Sequence, residues 1–170
     1  TNDVDILKMK TDFPEVEFLH RPENLCGDEV SGIDPVLHAM SLEKKSYDYV
    51  LLLQPTSPLR TSDHLDEAVN KCINGDFKQL VSVRKSTENF NHILVRENSS
   101  TFYLNQKINA GEYWVINGAI YLSKWDVLLQ KKNFITPETE IFEMDYKSSV
   151  DVDTPDDWDR AMLFAQKKES

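Results

Sequence analysis

One stretch of the chain, residues 47–60, limits its possible folds more than any other. It reads YDYVLLLQPTSPLR, a nearly unbroken apolar run that stops at two prolines. An apolar run without alternation is typical of a strand covered on both faces, as in the sheets of α/β proteins. Pro55 and Pro58 fix two φ angles and remove two backbone donors. We therefore expect a buried strand that ends in a rigid, polar corner.

Further strands and helices are predicted on both sides of this segment. Residues 79–84 (QLVSVR) and 116–123 (INGAIYLS) have the composition of strands, and an apolar stripe over residues 33–40 predicts a helix with Pro35 in its first turn. Strands that alternate with helices predict an α/β domain with a mainly parallel sheet. Residues 85–115 break this alternation and predict a hairpin-like excursion, either an oligomerisation arm or a lid.

Two more helices have recognisable ends. Thr61 and Ser62 are N-cap candidates for a helix that Gly75 closes. The last helix has Thr154 as its N-cap and Pro155 at its first position. We expect the inward face of this last helix to consist of Trp158, Ala161, Met162 and Phe164.

Composition excludes several classes of function. The chain has 170 residues, enough for one domain over residues 1–170, and a formal net charge of -10, which argues against a nucleic-acid partner. No apolar run approaches the roughly 18 residues of a membrane span, and the opening residues lack a signal-peptide core, so we expect a cytoplasmic protein. The two cysteines, Cys26 and Cys72, and four scattered histidines have no zinc-ligand spacing.

A pair of acidic residues, Asp151 and Asp153, lies in the segment VDVDTPDDW. In an extended segment, side chains two residues apart point the same way, so both carboxylates would face one side. Carboxylates of this kind bind Mg²⁺ together with substrate phosphates. The alternative is a helix cap, but Thr154 and Asp157 already serve that purpose.

Four motifs in order carry a family resemblance: RPENLCGD (21–28), LLLQPTSPLR (51–60), NGAIYLS (117–123) and VDVDTPDDW (150–158). Together they closely resemble the acylneuraminate cytidylyltransferases, including relatives that activate legionaminic or pseudaminic acid. The resemblance runs from about residue 1 to 165. It implies a Rossmann-like nucleotidyltransferase domain, usually a homodimer. It also implies transfer of CMP from CTP to a nine-carbon 2-keto sugar acid, with Mg²⁺ as cofactor and pyrophosphate as the other product.

The resemblance also assigns roles to individual residues. Arg21 would contact the nucleotide, and the loop around Ser31 would meet the cytosine. Asp151 and Asp153 would bind the metal, and either carboxylate could accept the proton of the sugar hydroxyl, directly or through water. The remaining set would line the sugar pocket: Gln54, Lys107, Asn117, Tyr121 and Phe134. Arg60 would serve as a ligand for an anion or as a structural clasp of its own corner.

Three departures from the family pattern keep alternatives open. The strand and the glycine- and lysine-rich phosphate loop with which the family opens have no counterpart here, and TNDVDIL resembles the segment after the second strand. Ser31-Gly32 replaces the more usual Ser-Ser, and the basic residues before residue 117 are reduced to Lys107. The alternatives are a non-catalytic nucleotide-binding or dimerising remnant and a nucleotidyltransferase for another sugar.

Overall fold

The computed structural model of the chain describes residues 1–27, 29–86, 94–96, 102–104 and 113–166. The helices are α1 (Val4–Lys8), α2 (Asp34–Leu42), α3 (Ser62–Asn74), α4 (Trp125–Lys131) and α5 (Pro155–Gln166), with 3-10 turns at Met9–Thr11 and Glu23–Leu25. The strands are β1 (Tyr49–Leu52), β2 (Gln79–Lys85), β3 (Leu94–Arg96), β4 (Phe102–Leu104), β5 (Trp114–Lys124) and β6 (Glu140–Glu143).

The main sheet has four strands in the order β1-β5-β2-β6. β2 pairs with β6 in parallel, whereas β5 is antiparallel to both β1 and β2. β1, β2 and β6 thus run in one direction, as expected for an α/β domain, and β5 runs against them. β5 follows β2 in the main sheet after residues 86–113 and lies next to it in the antiparallel sense.

The excursion at residues 85–115 contributes one short ladder to the described part of the chain. β3 and β4 pair antiparallel, with Leu94 opposite Leu104, as a two-stranded sheet separate from the main one. The rest of the segment, including Lys107, lies outside the described residues. Its role as a dimerisation arm or lid therefore stays a prediction.

Helices cover both faces of the main sheet. On one face, Ala68 and Cys72 of α3 pack in a buried cluster with Leu80 and Ile120. On the other face, strand residues such as Val81 pack in a second buried cluster. This cluster includes Met40 of α2, Leu128 of α4 and Phe134. The adjacent residues Leu80 and Val81 of β2 thus enter opposite clusters, which explains why apolar residues of this strand occur side by side and do not alternate with polar ones.

The helix ends predicted from sequence are confirmed. α3 begins after Thr61, whose hydroxyl oxygen accepts from the backbone N–H of His64, and ends before Gly75. α5 begins at Pro155, and α2 has its proline in the first turn. None of the helices in the described ranges is long and apolar enough to span a bilayer.

The predicted inward face of α5 is partly wrong. Trp158 is 57% exposed and Met162 44% exposed, whereas Ala161 is buried and Phe164 is half-buried. Phe164 also meets the ring of Tyr146 edge-on, at 6.3 Å between ring centroids. α5 therefore contacts the rest of the domain through a narrow stripe, and the wide apolar face that the sequence suggested is mostly open.

Candidate active site

A cavity of about 290 Å³ lies beside the end of β1. Its walls include four of the residues that the sequence assigned to a site, Ser31, Gln54, Tyr121 and Phe134. The rings of Tyr121 and Phe134 are 5.6 Å apart at an angle of 53°. Residues from four separate parts of the chain thus meet around one volume, because β1 and β5 pair and the segment after α4 folds back over them.

Sequence reasoning missed two further wall residues, Lys132 and Asn133. Lys132 ends α4 in the left-handed conformation, with φ 49° and ψ 35°. It is the only charged side chain among the residues that form the described cavity wall. A left-handed helix end usually carries glycine, so a lysine there gives no sequence signal.

The corner at residues 54–60 is held by Arg60. The Nη1 atom of this guanidinium donates to the carbonyl oxygens of Gln54, at 3.2 Å, and Ala119, at 2.7 Å. Burial lowers the pKa of Arg60 from its ordinary value. These contacts join the corner to β5. Of the two roles predicted for Arg60, the structure therefore supports that of a structural clasp.

Two more bonds tie this corner to the other site segments. The Ser57 hydroxyl, which is buried, donates to the Asn117 carbonyl at 3.5 Å. The Thr56 carbonyl accepts from the backbone N–H of Val152 at 2.8 Å. The corner, β5 and the acidic segment are therefore held together by one side-chain and one main-chain hydrogen bond.

Asp151 is not part of the cavity wall but lies close to two of its residues, Gln54 and Tyr121. Its Oδ1 atom is buried and has no hydrogen-bond partner in the described part of the chain. A Cβ atom at Gly118 would lie 3.1 Å from Asp151 Oδ2 and 2.8 Å from Gln54 Oε1. Burial, followed by the charge of Asp151, raises the pKa of Tyr121, so its hydroxyl stays protonated and able to donate at neutral pH.

Asp153 has a different environment from Asp151. It is exposed, and its backbone N–H donates to Asp157 Oδ2 at 3.3 Å. Within the described ranges, no group of three or more His, Cys, Asp or Glu side chains is arranged to hold a metal. The unpartnered, buried oxygen of Asp151 nevertheless fits a cation, and Mg²⁺ ordinarily takes only one or two protein carboxylates besides phosphate and water.

Asn117 is buried, and its amide is fully engaged inside the domain. Its Oδ1 accepts from the Ser82 hydroxyl at 2.5 Å and from the backbone N–H of Ala119 at 3.2 Å. Its Nδ2 donates to Ser149 Oγ at 2.8 Å and reaches Met144 Sδ at 3.5 Å. These contacts support a positioning role, and direct sugar binding by Asn117 stays a prediction.

The structure does not bring Arg21 into the cavity wall. Its backbone N–H donates to the Thr1 carbonyl at 2.8 Å, and its Nη2 donates to Asn2 Oδ1 at 3.1 Å. Its Nε atom is buried without a partner in the described residues. Contact of Arg21 with a nucleotide stays a prediction, as does the role of Lys107, which lies outside the described residues.

Comparison with curated proteins supports the family resemblance. An N-acylneuraminate cytidylyltransferase of Escherichia coli O18:K1:H7 (strain RS218 / NMEC) is 33% identical over 159 residues, which cover 89% of this chain and 38% of that protein. A CMP-N,N'-diacetyllegionaminic acid synthase of Legionella pneumophila subsp. pneumophila (strain Philadelphia 1 / ATCC 33152 / DSM 7513) is 30% identical over 152 residues, or 81% of this chain and 64% of that protein. The chain thus spans little more than a third of the first relative and under two thirds of the second.

Solved structures confirm the nucleotidyltransferase-like α/β fold. The structure of a CMP:2-keto-3-deoxy-manno-octonic acid synthetase complexed with CTP superposes with a TM-score of 0.64 and 17% identity, over 97% of this chain and 78% of that chain. At this identity the likeness concerns the fold alone. No protein-family model matches the chain.

Proposed function

This chain is a sequence relative of the acylneuraminate cytidylyltransferases, and on that premise we propose that it takes part in the transfer of CMP from CTP to a nine-carbon 2-keto sugar acid. The observation that carries the proposal is the shared cavity of Gln54, Tyr121 and Phe134, together with the nearby carboxylate of Asp151, which has an unpartnered oxygen. The names of these relatives specify N-acylneuraminate and N,N'-diacetyllegionaminate, so the proposed substrate is an acid of this class.

In the proposed reaction, the anomeric hydroxyl oxygen of the sugar acid attacks the α-phosphorus of CTP. A new P–O bond forms, the bond to the leaving pyrophosphate breaks, and the hydroxyl proton passes to a base. Asp151 is better placed than Asp153 to accept this proton, because its Oδ2 atom lies beside Gly118 together with Oε1 of the cavity-wall residue Gln54, whereas Asp153 is exposed.

The remaining cavity residues would bind and orient the sugar. The Gln54 amide offers two donors and an acceptor, and the protonated Tyr121 hydroxyl offers another donor. The Phe134 ring, which is 6% exposed, supplies an apolar wall against one face of the ligand. A site of this kind excludes water from part of the sugar while the polar groups fix its orientation.

Asp151 and Asp153 would hold the proposed Mg²⁺, which, when bound, neutralises charge on the phosphate oxygens. The orphaned oxygen of Asp151 supports this assignment. A homodimer, which the family resemblance implies, and a cytoplasmic location, which we expect from the sequence, are further parts of the proposal.

The test is Mg²⁺-dependent pyrophosphate release from CTP by the full chain, with N-acetylneuraminate, legionaminate and pseudaminate offered in parallel. The Asp151→Ala, Asp153→Ala double variant is the matched control. We expect release with one acid and its loss in the control. Release that persists in the control would contradict the assignment of the carboxylates.

A second candidate function is CTP binding without transfer, because the chain spans only 38% of its first relative. Equilibrium binding of CTP to the full chain separates the two. Binding that occurs without pyrophosphate release from any of the three acids would favour the non-catalytic alternative.

A further inference from the structure

β5 departs from regular pairing at the site. Val81 of β2 lies opposite Tyr121 and Val83 lies opposite Ile116, so residues 117–120 of β5 oppose the single residue Ser82. Such a bulge bends the strand and re-aims the residues within it. The domain uses it to direct a segment of main chain away from the ladder and towards the corner at residues 54–60.

The Ser82 hydroxyl stabilises this bulge from inside. It is fully buried, donates to Asn117 Oδ1 at 2.5 Å and accepts from the backbone N–H of Ile120 at 2.7 Å. The first and last residues of the bulge are thereby joined through one side chain. Because polar groups buried here would be costly without partners, the bonds keep the bulge in one conformation.

Gly118 occupies the turn of the bulge with φ +74°, a left-handed conformation. A Cβ atom there would approach Gln54 Oε1 to 2.8 Å and Asp151 Oδ2 to 3.1 Å, so a side chain at this position would displace the end of the Gln54 side chain. The two oxygens therefore both lie beside Gly118 and are no more than about 6 Å apart, close enough to bind one group between them. Both are acceptors, so the group that fits between them must carry a hydrogen-bond donor or a positive charge.

We propose that Gly118 is a positioning residue: the bulge that Ser82 stabilises places it so that the Gln54 amide and the Asp151 carboxylate act together on one donor group of the ligand. The proposed function is needed only to identify that donor, a hydroxyl group of the sugar acid. The shared position of the two oxygens does not depend on it. The proposed role of Gly118 differs from that of the cavity-wall residues. Gly118 makes no side-chain contact with the ligand, and its role depends on the absence of a side chain.

The first experiment is a double-variant cycle read by thermal unfolding of the full chain without ligand. Gly118→Ala should lower the melting temperature on the order of 5 °C, since the new Cβ displaces Gln54 and strains the left-handed φ. Adding Gln54→Ala should restore about half of this loss. Gly27→Ala is the matched control, because a Cβ there would meet only Val30, at 3.9 Å.

If Gly118→Ala lowers the melting temperature equally with and without Gln54→Ala, the inference is overturned. The effect of Gly118→Ala would then come from the backbone alone. If Gly118→Ala does not fold, recovery of folding in the double variant supports the inference, and failure of both to fold overturns it. This cycle uses no substrate, so its outcome is independent of whether the chain transfers CMP.

The second experiment separates positioning from general damage by steady-state kinetics. Gly118→Ala should raise KM for N-acetylneuraminate about tenfold and leave KM for CTP within about twofold. A similar rise for both substrates would overturn the inference. If the unaltered chain releases no pyrophosphate, the proposed function fails, and the thermal cycle alone decides the role of Gly118.

Discussion

Asn117 joins two segments that are far apart in the sequence. Its amide accepts from the Ser82 hydroxyl and donates to the Ser149 hydroxyl, and all three residues are buried. Removal of the Asn117 amide would leave these hydroxyl groups and the Ala119 N–H without this hydrogen-bond partner in the protein interior. A buried polar group without a partner costs about 1–3 kcal/mol, so the network is sensitive to a single change.

We expect Asn117→Ala to lower the free energy of unfolding by about 2–4 kcal/mol, as lost hydrogen bonds and unpartnered groups combine. Urea unfolding followed by circular dichroism measures this. The matched control is Asn70→Ala, at an exposed position within α3, which should be nearly neutral. Equal effects at the two positions would show that burial of the amide does not matter.

Asp145 gives stability a dependence on pH. Burial on its own raises the pKa of this carboxyl, but hydrogen bonds from the Ser148 hydroxyl, at 2.6 Å, and from the backbone N–H groups of Ser148 and Lys147 outweigh it, and the pKa lies below its ordinary value of 3.8. A carboxyl whose pKa is lower in the folded state stabilises the fold above its unfolded pKa and loses that contribution as pH falls through the folded value.

The stability difference between the unaltered chain and Asp145→Asn should therefore be largest at neutral pH and shrink below about pH 3.8. Urea unfolding at several pH values between 7 and 3 measures it. Ser148→Ala removes one of the bonds and should reduce the same pH dependence. A stability difference that stays constant between pH 7 and pH 3 would contradict the assignment of this pH dependence to Asp145.

The corner at residues 54–60 is the element on which the site depends. We expect Arg60→Ala to destabilise the fold by about 2–3 kcal/mol, because the carbonyls of Gln54 and Ala119 lose a charged donor. It should also weaken sugar binding, since Gln54 is then held less firmly. Chemical unfolding and ligand titration measure the two effects. Lys131→Ala removes an exposed cation from α4 and serves as the control.

Sequence predicted the strands with clustered apolar residues better than the other elements. β1, β2 and β5 were found because each contains several large or β-branched apolar residues close together, as expected where both faces of a sheet are covered. β6 was missed because its four residues, EIFE, bury only Phe142. α4 was missed because it is a short helix that follows β5 without any intervening loop.

The site was predictable where its chemistry is carried by side-chain identity. Gln54 and Tyr121 lie in motifs of the family resemblance, which also assigned Ser31 and Phe134, and all four meet at one cavity. The role of Gly118 was hidden because it depends on close approach by distant residues, although an isolated glycine inside a strand is itself a signal for a bulge. Lys132 gave no signal at all.

At the scale of the whole molecule, β1 forms one end of the described sheet. Leu51 on this strand is 36% exposed, and an apolar groove of about 440 Å³ lies along it, bounded by Val36, Tyr47 and Trp125. Open, apolar strand edges promote association between chains. The main sheet of the chain is therefore expected to self-associate through this end.

We expect Leu51→Lys to reduce self-association, because a charge on an edge strand opposes pairing with another chain. Light scattering over a range of protein concentrations measures it. Leu129→Lys places the same charge at an exposed position of α4, with 48% exposure, and should have less effect. Equal reduction by both variants would show that net charge alone controls association.

The reversed direction of β5 also has a consequence for the order of folding. β5 pairs with β2 across the intervening residues 86–113, and β1 joins the described sheet only through β5. Contacts between residues far apart in sequence require loop closure before any pairing is gained, which slows their formation. We therefore expect the docking of β5 to limit the rate at which the sheet assembles, with β1 added no earlier than that step.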